Sequence, residues 1–71
     1  MNSLKKTVFA NIESERIKAG MSKKEIAAEL GITPRTYYNY THGVVPIPSS
    51  VLVKCSRLFQ CSADYLLNDS A

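Results

Sequence analysis

The stretch that decides the fold is residues 22–43, SKKEIAAELGITPRTYYNYTHG, which predicts two short helices joined by a tight turn. Ser22 can cap the first helix, and Glu25 can bond back to the amide of the cap, as in a capping box. Gly31 ends this helix, because glycine adopts the left-handed C-cap conformation without steric cost. Three apolar residues share the inner face of this helix: Ile26, Ala27 and Leu30.

A second helix is predicted to begin immediately afterwards and to run to about Thr41. Thr33 can cap it, Pro34 suits its first position because proline lacks the N–H that would have no partner there, and Gly43 closes it. Four residues are expected to face inward: Ile32, Thr36, Tyr37 and Tyr40. Five residues are left on the outer side: Pro34, Arg35, Tyr38, Asn39 and His42.

The charge pattern favours an anionic partner for this outer side. No Asp or Glu occurs from Leu30 to Ala63, whereas three cations lie within that span: Arg35, Lys54 and Arg57. A surface without acids, together with free amides at helix N-termini, suits a phosphate backbone. The formal net charge of +3 is modest. An ordinary helical hairpin without a ligand is the alternative interpretation.

Length and composition limit the remaining possibilities. The 71 residues are expected to form one domain, 1–71, with an ordered core of about 4–67. There is no apolar run long enough for a membrane span and no signal peptide, so we expect a cytoplasmic protein with no membrane partner. The spacing of Cys55 and Cys61 fits no common metal or redox motif, and both are predicted to be buried thiols. No catalytic constellation is present, so we expect neither an enzyme nor a cofactor or metal site.

Three further helices are predicted around this pair. The first runs from about Leu4 to Ala19, with Val8, Ile12 and Ala19 inward and Phe9 beside them. The fourth is capped by Ser49 or Ser50 and shows Lys54 and Arg57 to solvent. Its inward residues are Val51, Leu52, Cys55, Leu58 and Phe59. The fifth is capped by Ser62, spans residues 63–67 and completes the core with Leu66 and Leu67.

Taken together, the order of these features resembles the lambda-repressor and Cro-like (XRE-type) helix-turn-helix family, from about Val8 to Leu67. The matching positions are Ser22, Glu25, Ile26, Ala27, Leu30, Gly31, Ile32, Thr33, Thr36, Gly43, Cys61, Ser62, Asp64, Leu66 and Leu67. The resemblance implies an all-α, five-helix lambda-repressor-like domain. It also implies a regulator of transcription that binds double-stranded DNA, Cro-like in size and typical of a phage or mobile-element switch.

The resemblance also assigns DNA contacts by position. The base-contacting residues would be Pro34, Arg35, Tyr38 and Asn39, with Arg35 suited to guanine and Asn39 to adenine. The phosphate-contacting residues would be Arg16, Lys23, Thr33 and His42. Two possibilities remain for Arg16, because the acid that pairs with it in many relatives is replaced by Thr41. Arg16 pairs with Glu13 or another carboxylate, or it is free to meet a phosphate.

The loop at residues 44–48, VVPIP, departs from the family because it has no Lys or Arg to hold phosphates. An apolar loop either folds onto the fourth helix or meets another chain. By resemblance, a homodimer on DNA would use this region together with the end of the domain, at Val44, Val45, Ile47 and Tyr65. The alternative function is a protein-binding modulator, an antirepressor that binds another helix-turn-helix repressor and blocks its DNA binding.

Overall fold

The computed structural model describes residues 9–68, and these form five α-helices and no strand. The helices are α1 (Ala10–Lys18), α2 (Lys23–Leu30), α3 (Pro34–Thr41), α4 (Ser49–Phe59) and α5 (Ala63–Leu67). The predicted all-α, five-helix architecture is confirmed. Residues 4–8 of the predicted first helix, including Val8, lie outside the described residues.

All five helices contribute to one apolar core. Its buried members are Ile12, Ile26, Ala27, Leu30, Tyr37, Val51, Cys55 and Leu66. Partly buried residues pack around them: Phe9, Met21, Ile32, Tyr40, Ile47, Leu52, Phe59 and Cys61. Helices α2 and α3 pack against each other, while α5 contacts both α1 and α4. Helix α1 also contacts α3, and α4 contacts α2, so the α2–α3 pair packs on α1 and α4.

Local capping sets where α2 and α3 begin and end. The Ser22 hydroxyl accepts from the Glu25 amide at 3.0 Å, and the Ser22 amide donates to the Glu25 carboxylate at 2.7 Å, which confirms the capping box. Gly31 has φ +72°, the left-handed conformation predicted for it. Thr33 caps α3 by accepting from the Thr36 amide at 3.1 Å, with Pro34 in the first turn. The turn between the two helices is thus specified by neighbouring residues.

The prediction for the first helix is wrong at the start of its described part and in the inward placement of Ala19, whereas its end near Ala19 is confirmed. Phe9 is not helical, because its backbone has φ −105° and ψ 70°, and its amide donates to the Thr41 carbonyl at 3.1 Å. The helix therefore begins at Ala10. Ala19 is exposed and not part of the inward stripe, because it is the C-cap and the chain turns away at Gly20, where φ is +71°. Ile12 is buried as predicted.

Three predictions for α4 and α5 also need correction. Pro48 and not Ser49 or Ser50 is the N-cap of α4, and no side chain caps it. Leu58, in the last turn of α4, is 36% exposed and is not among the residues that pack around the core. Leu67 is 42% exposed, because it follows the fully buried Leu66 and so points away from the core.

The two cysteines are free thiols in different environments. Cys55 is buried as predicted, and burial raises the pKa of its thiol to about 11. Cys61 is only partly buried, so its predicted burial is wrong. It lies at the turn between α4 and α5, where its carbonyl accepts from the Ser56 hydroxyl at 2.6 Å.

Replacing Ser22 tests the contribution of the capping box. We expect Ser22→Ala to lower the free energy of unfolding by about 1 kcal/mol, because the Glu25 amide loses its acceptor. Ser49→Ala is the matched control, since no side chain caps α4, and its change should stay within about 0.5 kcal/mol. Urea unfolding measures both, and an equal loss in the two variants would contradict the assignment of the caps.

Candidate nucleic-acid interface

The N-terminal end of α3 presents its first side chains to solvent. Thr33, Pro34 and Arg35 are all exposed. Within residues 9–68, no carboxylate pairs with Arg35, since the two ion pairs found there are Arg16–Glu13 and Lys18–Glu15. The guanidinium of Arg35 is therefore available to an external acceptor.

The outer face of α3 continues as a stack of planar groups. The Arg35 guanidinium carbon lies 5.4 Å from the centre of the Tyr38 ring. The Tyr38 and His42 rings stack with centroids 3.9 Å apart and planes inclined by 15°. Both rings are half-buried, although the sequence predicted them simply to face outward. This mutual covering was not foreseen, even though the i, i+3 and i, i+4 spacings permit it.

Asn39 lies beside this stack and is half-buried. Its main-chain carbonyl accepts from the amides of Val44 at 2.8 Å and Val45 at 3.4 Å, which closes the C-terminal end of α3. Its side-chain amide has no hydrogen bond to another residue in the described range. That amide can therefore donate to and accept from an external ligand.

The side chains predicted to contact phosphates differ in whether they already make hydrogen bonds within the protein. Lys23 is exposed at the start of α2. The Thr33 hydroxyl donates to the hydroxyl of Thr36 at 2.9 Å, so its hydrogen is already used within α3. His42 is the C-cap of α3, and its Nδ1 lies 3.1 Å from the Tyr38 carbonyl. Because a carbonyl only accepts, that contact places the imidazole hydrogen on Nδ1.

Arg16 takes the first of its two possible roles. Its guanidinium donates to both carboxylate oxygens of Glu13, at 2.9 and 3.1 Å, and to the Met21 carbonyl at 2.6 Å. The Tyr37 hydroxyl donates to the same carboxylate from α3. Arg16 is thus engaged inside the domain, and its phosphate contact stays a prediction.

The hydrogen bonds around the Glu13 carboxylate shift the pKa values of both Glu13 and Tyr37. Burial alone would raise the pKa of Glu13, but hydrogen bonds from Arg16 and Tyr37 and the charge of Arg16 outweigh it, so this pKa is lowered. Burial, reinforced by the bond to Glu13, raises the pKa of Tyr37. Glu13 is therefore ionised at neutral pH and Tyr37 is a neutral donor.

Residues 30–63, which contain no Asp or Glu, include an unforeseen contact at the turn between α2 and α3. The Lys54 ammonium group donates to the Leu30 carbonyl at 3.3 Å, where a cation stabilises the C-terminal end of α2. Lys54 is exposed as predicted, but nothing in its local pattern signals a partner 24 residues away. Arg57 is exposed as predicted.

The predicted interface residues fall into three environments. Ile47 packs against the core, whereas Val44 and Val45 are 62% and 39% exposed. The loop thus folds partly onto the domain and leaves two adjacent valines in solvent. Tyr65 is 37% exposed on α5, and its hydroxyl donates to Glu15 at 2.9 Å.

Comparison with known families decides the classification. The sequence profile of the helix-turn-helix family matches residues 12–66, which is more than half of the chain and includes α2 to α4 in full. The chain belongs to the Cro- and lambda-repressor-like helix-turn-helix family. In this family α2 and α3 form the helix-turn-helix and α3 is the recognition helix. Comparison with curated proteins and with solved structures found no match.

Membership of the helix-turn-helix family indicates the general function of this protein. It is a DNA-binding regulator, from a family of regulatory domains and not of enzymes. Among residues 9–68, no helix is long and apolar enough to cross a membrane. In the same range, no group of three His, Cys, Asp or Glu side chains is placed to hold a metal ion.

Replacing Glu13 tests the network that connects α1 to the recognition helix. Because the folded-state pKa is lowered, the stabilisation by Glu13 is present above its unfolded pKa, about 4.3, and is lost as the pH falls through the folded value. Glu13→Gln should lower the free energy of unfolding by about 1–3 kcal/mol at neutral pH. It should also reduce the acid dependence of stability below about pH 5.

Glu29→Gln is the matched control, because the Glu29 side chain is exposed and makes no hydrogen bond to another residue of the described range. Chemical unfolding as a function of pH gives both quantities. The network would be refuted if the two variants had the same stability and the same acid dependence.

Proposed function

We propose that this helix-turn-helix protein is a sequence-specific regulator of transcription that inserts α3 into the major groove of double-stranded DNA. The observation that carries the proposal is the outer face of α3, where the Arg35 guanidinium and the Asn39 side-chain amide have no hydrogen-bond or ion-pair partner within residues 9–68. No acid lies between Leu30 and Ala63 to repel phosphates. A helix of this width fits the major groove, where the base edges differ in donors and acceptors.

Each outward side chain has a role that its chemistry supports. Arg35 donates in bidentate fashion to guanine O6 and N7, and Asn39 pairs in the same way with adenine N6 and N7. Pro34, which has only apolar atoms to offer there, contacts a thymine methyl group. Tyr38 lies between these positions and His42, at the edge of the groove. Phosphate contacts come from Lys23 and from the amides at the N-terminus of α3.

The mode of assembly is part of the proposal. Two copies bind a two-fold operator, with one recognition helix in each half-site, about 34 Å apart. The exposure of Val44 and Val45 supports a contact between copies in this region, and Tyr65 is the candidate on α5. A Cro-like role in a phage or mobile-element switch and a cytoplasmic location are also part of the proposal, and the family match supports them.

A protein-binding role is the second candidate. Val44 is 62% exposed directly after the recognition helix, and such an apolar surface suits a protein partner as well as a second copy. In this case the protein would be an antirepressor that covers the DNA-binding face of another repressor. Salt separates the two functions, because phosphate binding weakens as salt rises and an apolar contact does not.

Titration onto DNA tests the main proposal. The purified protein is added to random-sequence and upstream-region duplexes at low and moderate salt, with binding followed by fluorescence anisotropy. We expect sequence-preferring binding that weakens with salt. Arg35→Ala and Asn39→Ala should each reduce the preference at one base pair by about 1–3 kcal/mol, because each removes one bidentate contact.

Arg57→Ala is the matched control, since it removes an exposed arginine of the same charge from α4. It should lower affinity for all sequences to the same small extent and leave base preference unchanged. Absence of duplex binding at low salt would refute the DNA-binding proposal and favour the protein partner. Equal effects of Arg35→Ala and Arg57→Ala on base preference would refute the assignment of Arg35.

Replacing Val44 tests the proposed assembly. Val44→Asp should convert two-chain complexes on a two-fold duplex into one-chain complexes, because it puts a charge into an apolar contact. Val53→Asp is the control, since Val53 is also exposed, at 45%, but lies on α4. Sedimentation velocity with labelled duplex gives the stoichiometry, and two chains per duplex for both variants would exclude this loop from the contact.

A further inference from the structure

Three planar side chains follow one another along the outer face of α3. Arg35 precedes Tyr38 by one helical turn, and His42 follows it by one turn. The phenol ring therefore lies between the guanidinium group, 5.4 Å from its centre, and the imidazole ring, 3.9 Å away. We call this arrangement of Arg35, Tyr38 and His42 the α3 stack.

The α3 stack is anchored at its C-terminal end. The imidazole Nδ1 of His42 donates to the Tyr38 carbonyl at 3.1 Å and lies 3.3 Å from the Thr41 hydroxyl. Thr41 is itself buried, and its hydroxyl donates to the Tyr37 carbonyl at 3.1 Å. His42 thus has a fixed position against the core, and Tyr38 has a fixed surface on which to lie.

The N-terminal end of the α3 stack has no other restraint. Arg35 is exposed and has no carboxylate partner among residues 9–68, so the face of the Tyr38 ring is the contact that orders its guanidinium. A free arginine loses considerable rotamer entropy when it makes a bidentate contact. An arginine already stacked on an aromatic ring loses less, because its plane is set in advance.

We propose that Tyr38 is a specificity-determining positioning residue, which acts by holding the guanidinium plane of Arg35 for one base pair. The inference rests on the proposed DNA-binding function and deepens it. Tyr38 contributes through its ring and not through a contact of its hydroxyl with DNA. The base edge that the stack favours is that of guanine, whose two acceptors lie in the plane of a bidentate guanidinium.

Two substitutions separate the ring from the hydroxyl. Tyr38→Phe keeps the aromatic face and removes the hydroxyl, which makes no hydrogen bond to another described residue. Tyr38→Leu keeps an apolar side chain with good helix propensity and removes the aromatic face. The difference between the two variants therefore reports the stack itself.

The experiment first selects an operator from random duplexes with the wild-type protein. Affinities are then measured for that operator and for each single-base-pair variant of it. Four variants are compared: Arg35→Ala, Tyr38→Phe, Tyr38→Leu and the double variant Arg35→Ala/Tyr38→Leu. Circular dichroism and thermal unfolding identify variants that retain the fold.

Arg35→Ala should abolish discrimination at one base pair, which identifies the pair that Arg35 contacts. Tyr38→Leu should reduce discrimination at that same base pair by about two- to fivefold, the value of an exposed cation–π contact. Tyr38→Phe should keep the wild-type preference. Tyr38→Leu should have no further effect at that pair once Arg35 is alanine.

Other patterns overturn the inference. Equal losses in Tyr38→Phe and Tyr38→Leu would mean that the hydroxyl contacts DNA directly. A loss at a different base pair, or one that adds to that of Arg35→Ala, would mean that Tyr38 acts independently. In both cases Arg35→Ala still relaxes one base pair, so the proposed function stands while the inference fails. Absence of duplex binding by the wild-type protein would refute both the proposed DNA-binding function and the inference about Tyr38.

Discussion

The carboxylate of Glu13 is the contact on which the placement of the recognition helix depends. It accepts from Tyr37 on α3 and from Arg16 on its own helix, and Arg16 also donates to the Met21 carbonyl ahead of α2. The Tyr37 side chain is almost completely buried, so its hydroxyl has few other partners available. One ionised group therefore fixes α3 and the entry to α2 relative to α1.

The three tyrosines of α3 show how one residue type serves both sides of this helix. Tyr37 is buried and bonded to Glu13, and Tyr40 packs against the edge of the core. Tyr38 lies on the opposite side and stacks with Arg35 and His42. The same planar ring thus fixes the helix on its inner face and orders a charged side chain on its outer face. In the proposed complex a rigid inner contact makes an ordered outer side chain useful, since both are placed relative to one DNA groove.

The structural features that could be predicted from the sequence were those determined by residues close together in the chain. The start of α2 is set by the capping box of Ser22 and Glu25, and its end by the left-handed Gly31. Each of these signals is local, so the helix-turn-helix could be predicted from them. The bonds of Tyr37 to Glu13 and of Lys54 to Leu30 each span 24 residues and leave no local signal. Family resemblance pointed to Arg16 but could not choose its partner, because Thr41 had replaced the usual acid. Leu58 and Leu67 were misplaced because an apolar residue at the edge of a helical stripe satisfies the pattern without being buried.

The small number of cations available to phosphates affects how this domain can distinguish DNA sequences. Each phosphate contact adds affinity for every sequence equally, and only base contacts separate one site from another. The loop after α3 has valines and prolines where cations would strengthen binding to any DNA sequence. Arg16, another cation, is bound to Glu13. We therefore expect the sequence-independent DNA affinity of each chain to be low, while the side chains of Arg35 and Asn39 make no hydrogen bond or ion pair with another residue among those described. In the proposed two-chain complex, occupancy of the operator comes chiefly from base contacts and from the joining of two chains, so discrimination between sites is less obscured by non-specific binding.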